Sequence, residues 1–155
     1  MKTQILNENK VDNIVWPGNM IWTNGCFDLL HIGHIDILKK AKRLGSYLIV
    51  GINSDNSVRK LKGKDRPIFK LEYRIISLAV LPFIDFIIPF DDLRPYELLR
   101  KIKPSMFVKA DDYTLETLDQ KEVEIINSYG GKIEFIKTVY DISTSKIIEK
   151  IKAME

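Results

Sequence analysis

The chain has 155 residues, 45% of them hydrophobic and 29% charged, with 24 basic against 21 acidic side chains and a formal net charge of +3. That length supports one core of ordinary size, and so mild a charge gives no case for a nucleic-acid partner. The single cysteine, Cys26, excludes an intrachain disulfide, and no window approaches the roughly 18 apolar residues of a membrane span. The start, with Asn7, Glu8, Asn9, Lys10 and Asp12, has no signal-peptide pattern. A cytoplasmic protein with neither nucleic-acid nor membrane partner is expected.

Residues 1–19 read as a polar extension that ends at Pro17-Gly18, and 20–155 as one domain. Met20 to Thr23 reads as a buried strand. Ile35, Leu38, Ala41, Lys42 and Leu44 follow helical spacing, with Gly45 as a stop. Tyr47 to Ile52 is a second strand. Leu71 to Leu81 is helical and ends before Pro82, and Phe83 to Pro89 holds a third apolar run. Tyr96 to Ile102 is helical, and Met106 to Val108 is a strand. Thr117 to Tyr129 is helical up to Gly130-Gly131, Lys132 to Lys137 is the last strand, and Ser143 to Lys152 the last helix.

Strand alternating with helix predicts an α/β fold, Rossmann-like and three-layered, around a five-stranded parallel sheet. The apolar strands fit a sheet covered on both faces. In such sheets ligands gather at the carboxyl ends of strands, at the switch in strand order.

The segment Thr23 to His34, T-N-G-C-F-D-L-L-H-I-G-H, occupies such a strand end. Gly25 falls where the strand stops. His31 and His34, the only two histidines, open the next helix around Gly33, and their i, i+3 spacing puts them on one face. A helix N-terminus offers free N–H groups and a partial positive charge, which favour phosphate. Imidazoles placed there can donate to phosphate oxygens and stabilise charge developing in a transition state. A zinc site is the competing chemistry, but there is no third histidine and only one thiol.

G-C-F-D-L-L-H-I-G-H resembles the G-x-F-D-x-x-H-x-G-H signature of the cytidylyltransferase-like nucleotidyltransferases. The resemblance runs from about Met20 to Ile151. N-S-D-N-S-V-R-K-L-K-G-K-D-R-P-I, from Asn53 to Ile68, looks like the matching segment of heptose 1-phosphate adenylyltransferase domains of bacterial ADP-heptose synthesis. V-K-A-D-D-Y, Val108 to Tyr113, is similar to that group's V-K-G-G-D-Y and to the G-D-D-W segment of glycerol-3-phosphate cytidylyltransferases. I-S-T-S-K-I, Ile142 to Ile147, resembles the family's I-S-T-T-x-I.

The resemblance implies transfer of a nucleotidyl group from a nucleoside triphosphate, ATP or CTP, with Mg²⁺, to a small phosphorylated sugar or alcohol, with release of pyrophosphate. It assigns His31, His34 and Lys62 to catalysis. It assigns Thr23, Asn24, Gly25, Cys26, Phe27, Gly33, Arg74, Asp111, Ser143, Thr144 and Ser145 to the nucleotide, and Asp28, Lys109 and Asp112 to the acceptor. No residue is assigned to the metal. Lys62 belongs to a basic stretch with Lys60, Lys64 and Arg66, a set of charges able to neutralise a triphosphate. Ser143 to Ser145 would cap the last helix and present its N–H groups as an anion site at the same time.

The leading reading is ATP with a heptose 1-phosphate. CTP with glycerol 3-phosphate or a related alcohol phosphate comes next, then the archaeal-type FAD synthetases, and a non-catalytic nucleotide-binding module stands outside the enzymes. H-I-G-H is also found in class I aminoacyl-tRNA synthetases, but 155 residues leave no room for their further domains. Two positions depart from the pattern: Ala110 stands where a glycine is expected, and Thr138 where some cytidylyltransferases carry an arginine. A homodimer is expected from the family, and Trp16 and Phe69 suit either an interface or the core.

Overall fold

A computed structural model describes residues 2–154. Six strands form one parallel sheet: β1 (Gln4–Ile5), β2 (Met20–Gly25), β3 (Tyr47–Asn53), β4 (Phe86–Phe90), β5 (Met106–Ala110) and β6 (Lys132–Ile136), in the order β1-β4-β3-β2-β5-β6. The helices are α1 (Ile32–Lys42), α2 (Asp55–Lys62), α3 (Leu71–Ala79), α4 (Tyr96–Ile102), α5 (Gln120–Ser128) and α6 (Thr144–Lys152). None of them is long and apolar enough to cross a membrane.

The expected α/β Rossmann-like architecture stands, but the sheet has six strands and not five. The extra strand comes from the polar lead-in: Gln4 pairs with Phe86 and Ile5 with Ile87 at the sheet edge. Two residues with one apolar side chain carry no periodicity, so the strand exists because β4 offers it an open edge. Behind it, a 3-10 helix over Glu8–Asn13 buries Val11, and Trp16 meets Phe86 edge-on at 5.4 Å, so Trp16 belongs to the core. Phe69 stays partly exposed.

Alternation along the strands divides the core in two. Trp22, Ile49, Ile88 and Phe107 point to the side covered by α4, α5 and the 3-10 helix. Ile21, Val50, Ile87 and Val108 point to the side where α1 and α3 lie. Each of these side chains is fully buried, worth about 1.5–3 kcal/mol apiece for a large aliphatic group. The stop after α1 differs in kind from the expected one. Gly45 has no left-handed backbone; a Cβ there would come within 2.7 Å of the Asn19 carbonyl, so the glycine serves close packing.

α2 was not among the expected elements, and its last turn takes in Lys60 and Lys62 of the basic stretch. Ser54 caps it by accepting from the Ser57 N–H at 3.1 Å. Only Val58 and Leu61 are apolar in the helix, too few for a recognisable stripe.

From β2 the chain steps outward through β3 to β4, then returns to lay β5 on the other side of β2. The switch in strand order therefore falls between β2 and β5, and the carboxyl ends of these two strands open a crevice.

Candidate functional site

A cleft of about 690 Å³ occupies that crevice. Its floor is the end of β2 and the loop after it, from Thr23 to Asp28. Its walls are the start of α1, the end of α2, the end of β5 and the start of α6. The loop is unusual in its backbone: Phe27 and Leu29 adopt left-handed φ values of 48° and 53°. Such conformations in residues with a Cβ cost about 1 kcal/mol or more each and gather at functional sites.

Between these two residues Asp28 turns inward. Its buried carboxylate accepts from the Ile68 N–H at 2.7 Å, the Phe69 N–H at 2.9 Å and Arg66 Nε at 2.8 Å. Burial alone would raise its pKa, but these donors outweigh it and hold the carboxyl below its ordinary value. Asp28, expected at the acceptor, thus ties the signature loop to the 66–69 segment.

The two histidines start α1. His31 is the N-cap, and its Nδ1 accepts from the Gly33 N–H at 3.1 Å. His34 Nδ1 accepts from the His31 N–H at 3.3 Å, which completes a reciprocal capping box made of imidazoles. The rings stack with centroids 3.7 Å apart and planes 22° apart, and Phe27 meets His34 edge-on at 5.4 Å. A nitrogen that accepts carries no proton, so in each neutral ring the hydrogen sits on Nε2. Both rings are neutral. Burial, and then the neighbouring His31, push His34 down to about 4, and burial lowers His31. Two N–H donors without positive charge therefore face the cleft.

Opposite them α6 begins. Ser143 caps it by accepting from the Lys146 N–H at 3.2 Å, and Thr144 Oγ1 donates to the Asp28 carbonyl at 2.5 Å. Gly33 lets the two helix starts come this close. A Cβ on it would stand 3.0 Å from the His31 ring and 3.1 Å from Ile142 Cγ2. The N-termini of α1 and α6 thus meet over one cleft, each with unpaired N–H groups.

Lys62, the last residue of α2, and Lys109, at the end of β5, line the same cleft, as do Asp112 and Ser145. Thr23, Asn24, Gly25, Cys26 and Phe27 line its floor. Burial pushes the Cys26 thiol up, so it is an un-ionised packed group. Lys109 Nζ lies over the rings of Phe107 and Tyr113, 5.4 and 5.5 Å from their centroids. Burial lowers its pKa, and the charge of Glu122 opposes that.

Two expected nucleotide contacts lie elsewhere. Arg74 is 1% exposed and sits beneath the cleft floor. It donates to the carbonyls of Phe69, Cys26 and Asn53 and to Asp55 Oδ1, at 2.7–2.9 Å. Its guanidinium fastens the ends of β2 and β3 to α2 and α3 and is not presented to a phosphate. Asp111 is not among the residues that line the cleft; its carboxylate accepts from the hydroxyl and N–H of Thr138, which does line it. Those bonds also hold its carboxyl below the ordinary range.

Arg94, four residues past β4, lines the cleft beside Lys109 and was not among the expected site residues. Its place just beyond the carboxyl end of a strand is the signal that could have found it. Arg66 also lines the cleft. Among the described residues no cluster of three or more His, Cys, Asp or Glu is placed to hold a metal ion.

The bifunctional protein HldE of Syntrophotalea carbinolica is 47% identical over 132 residues, 85% of this chain and 26% of that protein. The chain spans about a quarter of the length of the curated relatives it matches. The lipopolysaccharide core biosynthesis protein of Thermoplasma volcanium superposes with a TM-score of 0.64 at 28% identity, covering 81% of this chain and 100% of that one. Pantothenate synthetase of Thermus thermophilus superposes with a TM-score of 0.64 at 12% identity, covering 97% of this chain and 70% of that one, a likeness of fold alone. Residues 22–150 match the cytidylyltransferase-like family, a span from β2 into α6 that holds both helix starts of the cleft, and the chain belongs to that family.

Proposed function

We propose that the chain is a heptose 1-phosphate adenylyltransferase. It would join the adenylyl group of ATP to D-glycero-β-D-manno-heptose 1-phosphate and release pyrophosphate, in the cytoplasm. The observation that carries this reading is the meeting of two neutral, Nε2-protonated imidazoles with the N-terminus of α6 across one cleft at the sheet's switch point. The likeness to HldE along most of this chain supports the choice of nucleotide and acceptor.

In the proposed reaction an oxygen of the sugar phosphate attacks the α-phosphorus in line. The bond from that phosphorus to the bridging oxygen breaks, and pyrophosphate leaves. The attacking phosphate is ionised at neutral pH, so no general base is needed. Catalysis rests on alignment and on preorganised donors. His31 and His34 give their Nε2–H groups to the phosphate oxygens where negative charge gathers. Lys62 and the start of α6 take the departing pyrophosphate. Lys109 meets the acceptor phosphate, with Asp112 near its hydroxyls. A Mg²⁺ ion bound together with the triphosphate would supply further neutralisation of its charge.

Tyr73, Ile76 and Val80 are exposed on one face of the α3 region, at i, i+3 and i+7. This apolar stripe supports a homodimer formed through α3. A monomeric mass for wild type in sedimentation would remove that part of the reading.

The test of the reaction is pyrophosphate release with each of four nucleoside triphosphates against heptose 1-phosphate, glycerol 3-phosphate and other alcohol phosphates. Turnover with ATP and the heptose phosphate, and little with the rest, is expected. Preference for CTP and glycerol 3-phosphate would replace this reading, and nucleotide binding without release would make the chain a binding module.

A further inference from the structure

We propose that Glu122 is a positioning residue for the acceptor half of the cleft, a buried counter-carboxylate that holds Lys109 as a cation facing the acceptor phosphate. The inference rests on the reading of Lys109 as the acceptor contact.

Glu122 is the third residue of α5, where a glutamate ordinarily turns back to the N-cap backbone. Its own N–H does donate to Asp119 Oδ1 at 3.0 Å, but the side chain does not reciprocate. It goes inward: the residue is 1% exposed, and neither carboxylate oxygen has a hydrogen-bond partner. A buried charge without partners is among the costliest arrangements in a protein, and each instance calls for a reason.

The reason lies in what faces it. Burial raises the Glu122 carboxyl above its ordinary value; Lys109 from β5 and Arg94 from the segment before α4 attract the carboxylate and oppose that rise, while Asp119, at the start of α5, adds to it. Phe107, whose ring Lys109 overlies, packs in the same core cluster as Ile125 and Ile126 of α5, so the ammonium lies on the α5 side of the sheet. Lys109 makes no ion pair among the described residues, and its ammonium rests over the rings of Phe107 and Tyr113. Facing it are Glu122, Arg94, Cys26 at the end of β2, and Asp112. Burial works against the ammonium, and the largest opposing influence is Glu122. A lysine that must meet a dianionic phosphate has to keep its proton before the phosphate arrives. Glu122 supplies that charge from behind, out of reach of solvent and substrate.

The first test uses the unaltered protein. With the glutamate carboxyls ¹³C-labelled, the Glu122 resonance is expected to be that of an ionised carboxylate at pH 7; a protonated Glu122 there overturns the proposal. The second uses Glu122→Gln, which keeps the shape and removes the charge. With lysines ¹³C-methylated, the Lys109 midpoint should fall relative to the unaltered protein, and the acceptor KM should rise at high pH more steeply than in the unaltered protein while the ATP KM stays constant. Lys109→Arg in the same background should abolish that pH dependence, because a guanidinium stays charged throughout. An unmoved Lys109 midpoint, or a loss that is equal at every pH and for both substrates, overturns the proposal. If Glu122→Gln does not fold, the carboxyl resonance of the unaltered protein decides alone. Both resonance measurements need no acceptor, so they stand even if heptose 1-phosphate proves to be the wrong substrate.

Discussion

The hydroxyl of Thr144 donates to the carbonyl of Asp28 across 116 positions of sequence, and that bond brings the last helix to the signature loop. A neutral hydrogen bond of this kind contributes about 0.5–1.5 kcal/mol net. Thr144→Val should therefore lower the melting temperature by only about 1–6 °C and weaken triphosphate binding by roughly twofold to tenfold. Calorimetric titration with a nonhydrolysable ATP analogue checks this; unchanged affinity would mean that the register of α6 does not matter to the nucleotide.

His34→Ala should lower kcat by about a hundredfold or more, the scale of losing one preorganised donor. His31→Asn separates the helix cap from the chemistry. Asparagine is a good N-cap, so this variant should melt near wild type and still lose activity. Steady-state kinetics with a thermal melt on the same samples reads both, and a folded, fully active His31→Asn variant would remove His31 from the mechanism.

Stability should fall on mild acidification. His34 titrates near 4 when folded, against an ordinary 6.5, so between these values the unfolded chain binds the extra proton. The stability held by the neutral ring is complete above about pH 6.5 and is lost as pH falls toward 4. Asp28 acts later: its carboxyl is depressed in the fold, so its contribution is present above its ordinary value of 3.8 and disappears below it. Denaturant melts from pH 8 to pH 4 should show the first slope, and His34→Asn should flatten it.

Arg74→Ala should act on the fold before it acts on the nucleotide. It takes one donor each from three carbonyls and from Asp55, which keeps the Leu71 N–H. Each polar group left unpaired inside the fold costs about 1–3 kcal/mol. Urea unfolding should show the loss; a normally stable variant with a raised ATP KM would return Arg74 to the phosphates.

Much of this molecule is legible in the order of its residues. Tyr96–Ile102 occupies its expected span because leucines and isoleucine recur there at helical spacing. The strand and the paired histidines around Gly33 likewise announced a strand end and a helix start. What stayed hidden depended on three-dimensional context. β1 is a strand only because β4 has a free edge. Arg74 and Asp28 read in sequence as ligand contacts, and only the burial of their neighbourhood turns them into internal fasteners. Arg94 and Glu122 carry no motif; their proximity to Lys109 is produced by the return of the chain from β4 to β5.

The imidazole capping box has one further consequence. Each ring has its Nδ1 committed to a main-chain N–H, so neither can flip without uncapping α1. The helix therefore chooses the tautomer before any ligand arrives. A ring fixed in this way cannot relay a proton from one face to the other, so the pair forms no proton wire. It suits a transfer between phosphates in which charge shifts and hydrogens stay where they are.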